Sequence, residues 1–517
     1  MYAENFISRS VVALVGISVV MVLIALDQTV VGTALPQMVA ELQDFDLYPW
    51  VASAYLLTNA ILIPVTGRLG DLHGRKPYLL AGIALFTLAS ALCGLAGTML
   101  QLVLARGLQG IGGGMLLGSV FASVSDLFPE TLERVRWQVM LSAAFGIASA
   151  LGPALGGWMT EHLGWRSVFY VNLPIGLIAL PIVWRFLPWV AHGERPGKAI
   201  DWLGVILLAL SIGTLLMTTE LGERLGFGSV PFLALVVLSM LLTWLFVIHQ
   251  RRTPAPIIPL QLFADAAVRR LGLLAVLTGL VMFVLLFYAP LLLQGGFALS
   301  PNEAGLLVTP LLVSLTVGSV VNGRMILRVE RPERLFSFGV LLLVAGVGML
   351  CGVSADTSRY LLMAIFAVCG LSLGFQLPNL NLQMQSAVGK EYQGAASALI
   401  QTLRTLGSMF GASLAGLLVS LGFNREVARA LTQEGIQDVR VWRLFESPRL
   451  LLRAADQEIL ASLGHLQGFD AATLLAQARL GLVTGIRGAF VGCLLVALIS
   501  YFVSRRLPPF ARRKQSS

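Results

Sequence analysis

Asp27 is an acid inside an apolar run from Val11 to Leu35. A run of that length crosses a bilayer. An ionised side chain near the membrane centre costs about 2.5–3.5 kcal/mol on insertion scales. Asp27 is therefore expected to face a wet cavity or a partner, not lipid. An acid that gains and loses a proton there is the simplest device for coupling a proton gradient to the movement of something else. The alternative is a buried acid that only fixes helix packing. A second charge, Arg106, stands in Arg106-Gly107-Leu108-Gln109-Gly110, followed by Gly112, Gly113 and Gly114. It too must find a carboxylate, carbonyls or water, and the small residues let another helix come close. Asp27 and Arg106 are the candidates for proton coupling and substrate contact. Gln28, Thr29, Gln109, Gln376, Asn379, Asn381 and the aromatic group Phe283, Phe287 and Tyr288 are candidates for lining a cavity. The amides could equally bridge helices, and the aromatics could be core or lipid-facing surface.

The elements that position these residues are membrane helices. Of 517 residues, 56% are hydrophobic and only 12% are charged, against about 25% charged in soluble domains. Period-two alternation of a barrel strand is absent. Fourteen apolar runs are expected to span, near 11–35, 48–68, 78–98, 101–126, 137–159, 166–188, 202–221, 231–250, 269–293, 303–325, 335–354, 358–381, 394–421 and 481–505. The first run exceeds a signal-peptide core and reads as an uncleaved anchor. The cysteines Cys93, Cys351, Cys369 and Cys493 lie in apolar runs without metal-ligand spacing.

The net charge of +9 is not a nucleic-acid signature. Its cations gather in alternate short connections: Arg75 and Lys76; Arg134 and Arg136; Arg195 and Lys198; Arg251 and Arg252; Arg328, Arg331 and Arg334; and the tail with Arg505, Arg506, Arg512, Arg513 and Lys514. This is the positive-inside pattern, with both termini cytoplasmic in a cell (inner) membrane. The organisation reads as a six-span bundle (1–190), linkers with a two-helix insertion (191–265), and a second six-span bundle (266–517) carrying an outer loop at 422–480. That loop is amphipathic from Val441 to Leu463. It reads either as a lid or, in a cell with an outer membrane, as a contact for a periplasmic adaptor.

Four motifs sharpen the reading. Gly67-Arg68-Leu69-Gly70-Asp71-Leu72-His73-Gly74-Arg75-Lys76 follows the second run. Its glycines permit a tight turn, and Asp71 with Arg75 and Lys76 can clasp neighbouring helix ends. It resembles the loop signature of the major facilitator superfamily, and the Arg106 stretch resembles that superfamily's fourth-span motif, whose Arg is implicated in proton transfer. Gly146 with Gly152-Pro153-Ala154-Leu155-Gly156-Gly157 resembles its antiporter motif, a conformational element. Leu26-Asp27-Gln28-Thr29-Val30-Val31-Gly32-Thr33-Ala34-Leu35-Pro36 resembles the first-span signature of the fourteen-span drug:proton antiporters. The stretches Trp165 to Gly176, Asp201-Trp202-Leu203-Gly204, Tyr288 to Gln294 and Ser300 to Pro310 fit the same family. The resemblance implies a small hydrophobic substrate, often a cationic drug, exchanged for protons by rocking of two halves in the lipid bilayer.

A proton-coupled carrier of one metabolite or lipid would share these features. An ATP-driven pump is excluded, since the chain has no Gly-x4-Gly-Lys-Ser/Thr loop. A membrane enzyme is disfavoured, because the five histidines form no metal-binding or triad pattern. No cofactor is implied.

Overall fold

Inside a bilayer a backbone has no water to bond, so apolar runs of about 20 residues must close their hydrogen bonds internally as helices. The computed structural model describes residues 2–507 except 43–46, 129, 191–200, 227–228, 254–255, 257–259, 300, 330, 389–391, 446–449 and 452–453. The linker cations Arg195 and Lys198 and the tail cations Arg512, Arg513 and Lys514 lie outside the described residues, while Arg505 and Arg506 follow α17 and are exposed. In order the helices are α1 (Tyr2–Leu42), α2 (Tyr48–His73), α3 (Lys76–Leu95), α4 (Met99–Leu127), α5 (Thr131–Leu163), α6 (Ser167–Tyr170), α7 (Asn172–Phe186), α8 (Trp202–Leu225) and α9 (Val230–Arg252). There follow α10 (Ala266–Leu291), α11 (Pro301–Arg328), α12 (Glu333–Leu350), α13 (Arg359–Ala387), α14 (Gln393–Gln433), α15 (Val439–Leu444), α16 (Ala454–Gln467) and α17 (Ala471–Ser504).

The all-helical membrane fold is as expected, and the number of spans comes close to fourteen. Among the described residues twelve helices are long and apolar enough to cross a membrane. The fifth expected span is a bent pair, Arg136–Gly152 and Ala154–Leu163, meeting at 42°, which makes a thirteenth. The break falls at Pro153, whose missing N–H opens the helical ladder. The seventh expected span falls on α8, a 24-residue helix whose apolar stretch among the described residues is Trp202–Thr218. The 422–480 segment carries much helix: α14 continues to Gln433 and α17 starts at Ala471, with α15 and α16 between.

Small residues let these helices meet backbone to backbone. Gly110, Gly114 and Gly118 recur every fourth residue of α4 and lie on carbonyls of α2 at Tyr55, Asn59 and Ile63. Thr58 Oγ1 donates to Gly107 O (2.8 Å) and Thr66 Oγ1 to Gly114 O (3.2 Å) across the same seam. The α11–α13 crossing repeats the device with Gly318, Gly370 and Gly374, and α10–α14 with Gly279, Gly407 and Gly411. Gly110→Val should push α4 off α2. The expected cost is about 1–3 kcal/mol of overpacking, read as a lower melting midpoint of the purified protein.

The Gly74 turn shows why its residue types are fixed. Gly74 ends α2 at φ +87°, and a Cβ there would strike the Trp189 indole. Trp189 Nε1 donates to His73 O (3.0 Å), so the chain leaving α7 covers the turn. At this same end α5 meets the later helices. Gly323 lies under Val139, and deeper along α5 Gly146 lies under Thr316. Arg134 Nη1 donates to Gln393 Oε1 (3.2 Å) and Gln138 Nε2 to Gln385 Oε1 (3.3 Å). Ala398 of α14 packs into the cluster of Leu117 and Val120 on α4. The end that carries Gly74 is therefore closed.

Candidate functional site

Asp27 is wholly buried at the junction of α1, α3, α4 and α7. Its Oδ2 accepts from Arg106 Nη1 (2.7 Å). Its Oδ1 accepts from Gln109 Nε2 (2.7 Å) and Asn172 Nδ2 (3.0 Å). Arg106 has further partners: Nη1 donates to Gln109 Oε1 (2.6 Å), Nε to Val51 O (3.3 Å), and its guanidinium carbon stands 4.4 Å from the Tyr55 ring centroid. Ser90 Oγ accepts from both Gln109 Nε2 (2.7 Å) and Asn172 Nδ2 (2.8 Å). Arg106 is seven residues into α4, or about 10 Å from the end remote from Gly74.

The sequence explains this convergence. The glycine seam holds α4 against α2, which aims Arg106 and Gln109, one turn apart, at α1. Asn172 opens α7 directly after the Trp165 to Tyr170 corner. That corner is pinned to α1: Trp165 Nε1 and Arg166 Nη1 donate to Glu41 (2.7 and 2.6 Å). Hydrogen bonds from Arg166 and then Trp165 hold the Glu41 carboxyl below its usual range. A lowered folded-state pKa gives stability that is present above the unfolded value and lost as pH falls through the folded one. Because Glu41 is exposed, its loss should lower the melting midpoint only slightly in acid, and Glu41→Gln should remove that acid-dependent part.

Every contact to Asp27 comes from a donor, so both oxygens act as acceptors. A protonated carboxyl must turn one oxygen into a donor and give up a partner. Protonation therefore loosens this cluster, and Arg106 has Gln109 Oε1, Val51 O and Tyr55 to fall back on.

The expected clasp forms with a changed membership. Arg75 Nη2 donates to Asp71 Oδ1 (2.6 Å), and Arg75 Nη1 pairs with Asp126 at the end of α4. Burial works against the Arg75 charge, but the Asp126 and Asp71 carboxylates more than offset it and raise its pKa. Gly70 leaves room for the Arg75 stem, and Gly67 is buried in the same turn. Lys76 is not part of the clasp. It starts α3 half-buried, about 100° round from Arg75, and holds no ion pair with a described residue.

The remaining candidates are dispersed. Gln109 belongs to the buried Asp27 cluster and lines no open space. Gln28 is half-buried beside it; Thr29 Oγ1 bonds Ala25 O (2.8 Å) and covers Gly152. Gly146 faces α11, Gly156 is buried, and a Cβ on Gly157 would meet open space. The Pro153 side chain lies outside the described residues. Gln376 is tied to Thr278 and Ser372, Asn379 to Asn322 (2.8 Å), and Asn381 to Leu377 O (3.3 Å), so these amides bridge or brace helices. Phe283 and Phe287 stack at 4.2 Å, with Phe287 exposed and Tyr288 half-buried. None of the aromatic three touches Asp27. Sequence reasoning did not single out Asn172, Ser90, Tyr55 or Asp126. Their signal was present as polar residues interrupting apolar windows.

The family profile of the Major Facilitator Superfamily matches residues 17–412. The chain belongs to the Major Facilitator Superfamily. Among its relatives, the multidrug transporter protein MdtP of Bacillus subtilis is 31% identical over 423 residues, covering 81% of this chain and 77% of that one. Multidrug resistance protein 3 of the same organism is 32% identical, covering 79% of each chain. Multidrug resistance protein Stp of Mycobacterium tuberculosis is 29% identical over 89% of this chain and 88% of its own. The crystal structure of the human organic anion transporter MFSD10 superposes with a TM-score of 0.60 at 15% identity, over 94% of this chain and 99% of that one. That likeness concerns the fold. This superfamily member is a membrane transporter related to multidrug transporters, not an enzyme by kinship.

Proposed function

We propose that this transporter exports lipophilic small molecules in exchange for protons, with Asp27 as the titrating site. The observation that carries the reading is the sealed Asp27–Arg106 pair, whose α4 also supplies Asp126 to the clasp. Two halves, 1–190 and 266–517, rock about it with the 191–265 insertion alongside. The basic connections support a cytoplasmic position for the Gly74 end and both termini. With that end closed, a proton arriving from outside reaches Asp27 and loosens Arg106. The clasp of Arg75 with Asp71 and Asp126 releases, the halves rock, and the site meets the cytoplasm. There a substrate favours loss of the proton. A lipophilic cation can meet the Asp27 carboxylate only when Arg106 has left it, so cation binding and proton release draw on one opened state. One charge moved across the membrane is worth about 2.3 kcal/mol per 100 mV, before any pH difference.

The test is efflux of tetraphenylphosphonium from proteoliposomes under an imposed pH gradient. Transport is expected to stop when an uncoupler collapses the gradient and to be indifferent to vanadate. Transport that continues without a gradient and requires ATP would overturn the reading.

A further inference from the structure

Asp27 and Arg106 cancel, which leaves one mid-membrane charge unaccounted for. Arg404 lies eleven residues into α14, about 16 Å from its start. Its guanidinium makes no hydrogen bond or ion pair with a described residue, and the residue is half-buried. An unpaired cation at that depth is costly unless it meets water or an anion.

Among the described residues Arg404 forms no ion pair with any acid. Acids in the spanning stretches of the second half are Glu303, Glu333 and Glu426. Glu303 pairs with Arg359 and Glu426 with Arg429, and Glu333 opens α12. The other deep cation of this half, Arg487, is spent on Val353 O (2.9 and 2.6 Å). Nor does Arg404 face lipid. Phe410, Leu414 and Leu421 mark the exposed stripe of α14, and Arg404 lies about 100° round from it. It shares an inner stripe with Ser397, Gln401 and Ser408, at spacings of four, three and four residues. Gln401 is buried with its Oε1 unpaired. The backbone there is fixed, since Gly279 of α10 lies on Arg404 O and Ser408 Oγ donates to Gly279 O (3.2 Å). Thr278 and Gln376 of the neighbouring helices satisfy each other (3.0 Å) and leave the guanidinium free.

We propose that Arg404 receives the acid group of amphiphilic organic acids, so that carboxylates and sulfonates with apolar bodies are cargo of this transporter. A guanidinium offers a fork of donors matched to either group, and Gln401 Oε1 accepts from a neighbouring N–H or O–H of the cargo. The proposal rests on the export reading for its direction of transport and not for the binding site itself.

The experiment uses the full-length protein in nanodiscs with N-dansyl-phenylalanine and its methyl ester, matched probes that differ in the charge. Dansyl fluorescence should show the acid binding roughly tenfold or more tightly than the ester, the worth of one charge-assisted hydrogen-bonded pair. Arg404→Gln should erase that difference by weakening the acid alone, and Arg404→Lys should keep most of it. Equal binding of acid and ester by the wild-type protein, or unchanged acid affinity in Arg404→Gln, overturns the proposal. The wild-type comparison and Arg404→Lys decide the matter even where Arg404→Gln fails to fold. Gradient-driven tetraphenylphosphonium efflux separates the two readings: efflux without acid preference leaves the export reading standing and removes this one. Acid preference without efflux does the reverse.

Discussion

Asp27→Asn should reduce gradient-driven efflux to background while the protein remains folded and inserted. Asparagine keeps the volume and still accepts through one oxygen, but it cannot carry a proton. Its amide turns one acceptor into a donor, which faces Arg106 or the amides of Gln109 and Asn172. Stranding one member of a buried pair costs about 3–5 kcal/mol when nothing else answers it. Here the cost falls below that range, since Arg106 retains Gln109 Oε1, Val51 O and the Tyr55 ring. Retained elution volume with lost efflux is the expected pair of readings. Efflux at the wild-type rate would remove Asp27 from the mechanism.

Arg75→Gln should have the largest effect on the closed end. One guanidinium answers two carboxylates, Asp71 and Asp126, and all three groups are nearly shut from solvent. Its removal leaves two acids facing each other, with an expected loss of about 3–5 kcal/mol. Arg75→Lys should recover only part, since an ammonium lacks the two-armed geometry that reaches α2 and α4 at once. The loss should be local. A cysteine placed at Gln138, on the α5–α13 contact, should react faster with maleimide in Arg75→Gln than in the parent. Unchanged reactivity and melting would mean that the clasp does not hold this end shut.

Much of this was legible in the sequence because the membrane is a severe solvent. Uninterrupted apolar length forces helices, and a charge inside one demands a partner, so Asp27 and Arg106 stood out before their distance was known. The glycine spacing of α4 likewise announced a close crossing. Other features were hidden for physical reasons. Asn172 and Ser90 are neutral and small, and their importance comes from being brought to one carboxylate by four helices distant in sequence. Asp126 sits at a helix end, where acids are common. The cavity candidates Gln376 and Asn379 are ambiguous by nature, because an amide in a span serves equally to line water or to tie helices. Helix edges were harder to read: α14 and α17 extend beyond the expected edges at 421 and 481, and Pro153 bends the fifth span.

The central claim is that Asp27 gives up a proton when cargo binds. Tetraphenylphosphonium added to the purified protein in unbuffered detergent, with a pH-sensitive dye, tests this directly. The account predicts acidification by the wild-type protein and none by Asp27→Asn at matched occupancy. Equal proton release from both, or none from either, would contradict it.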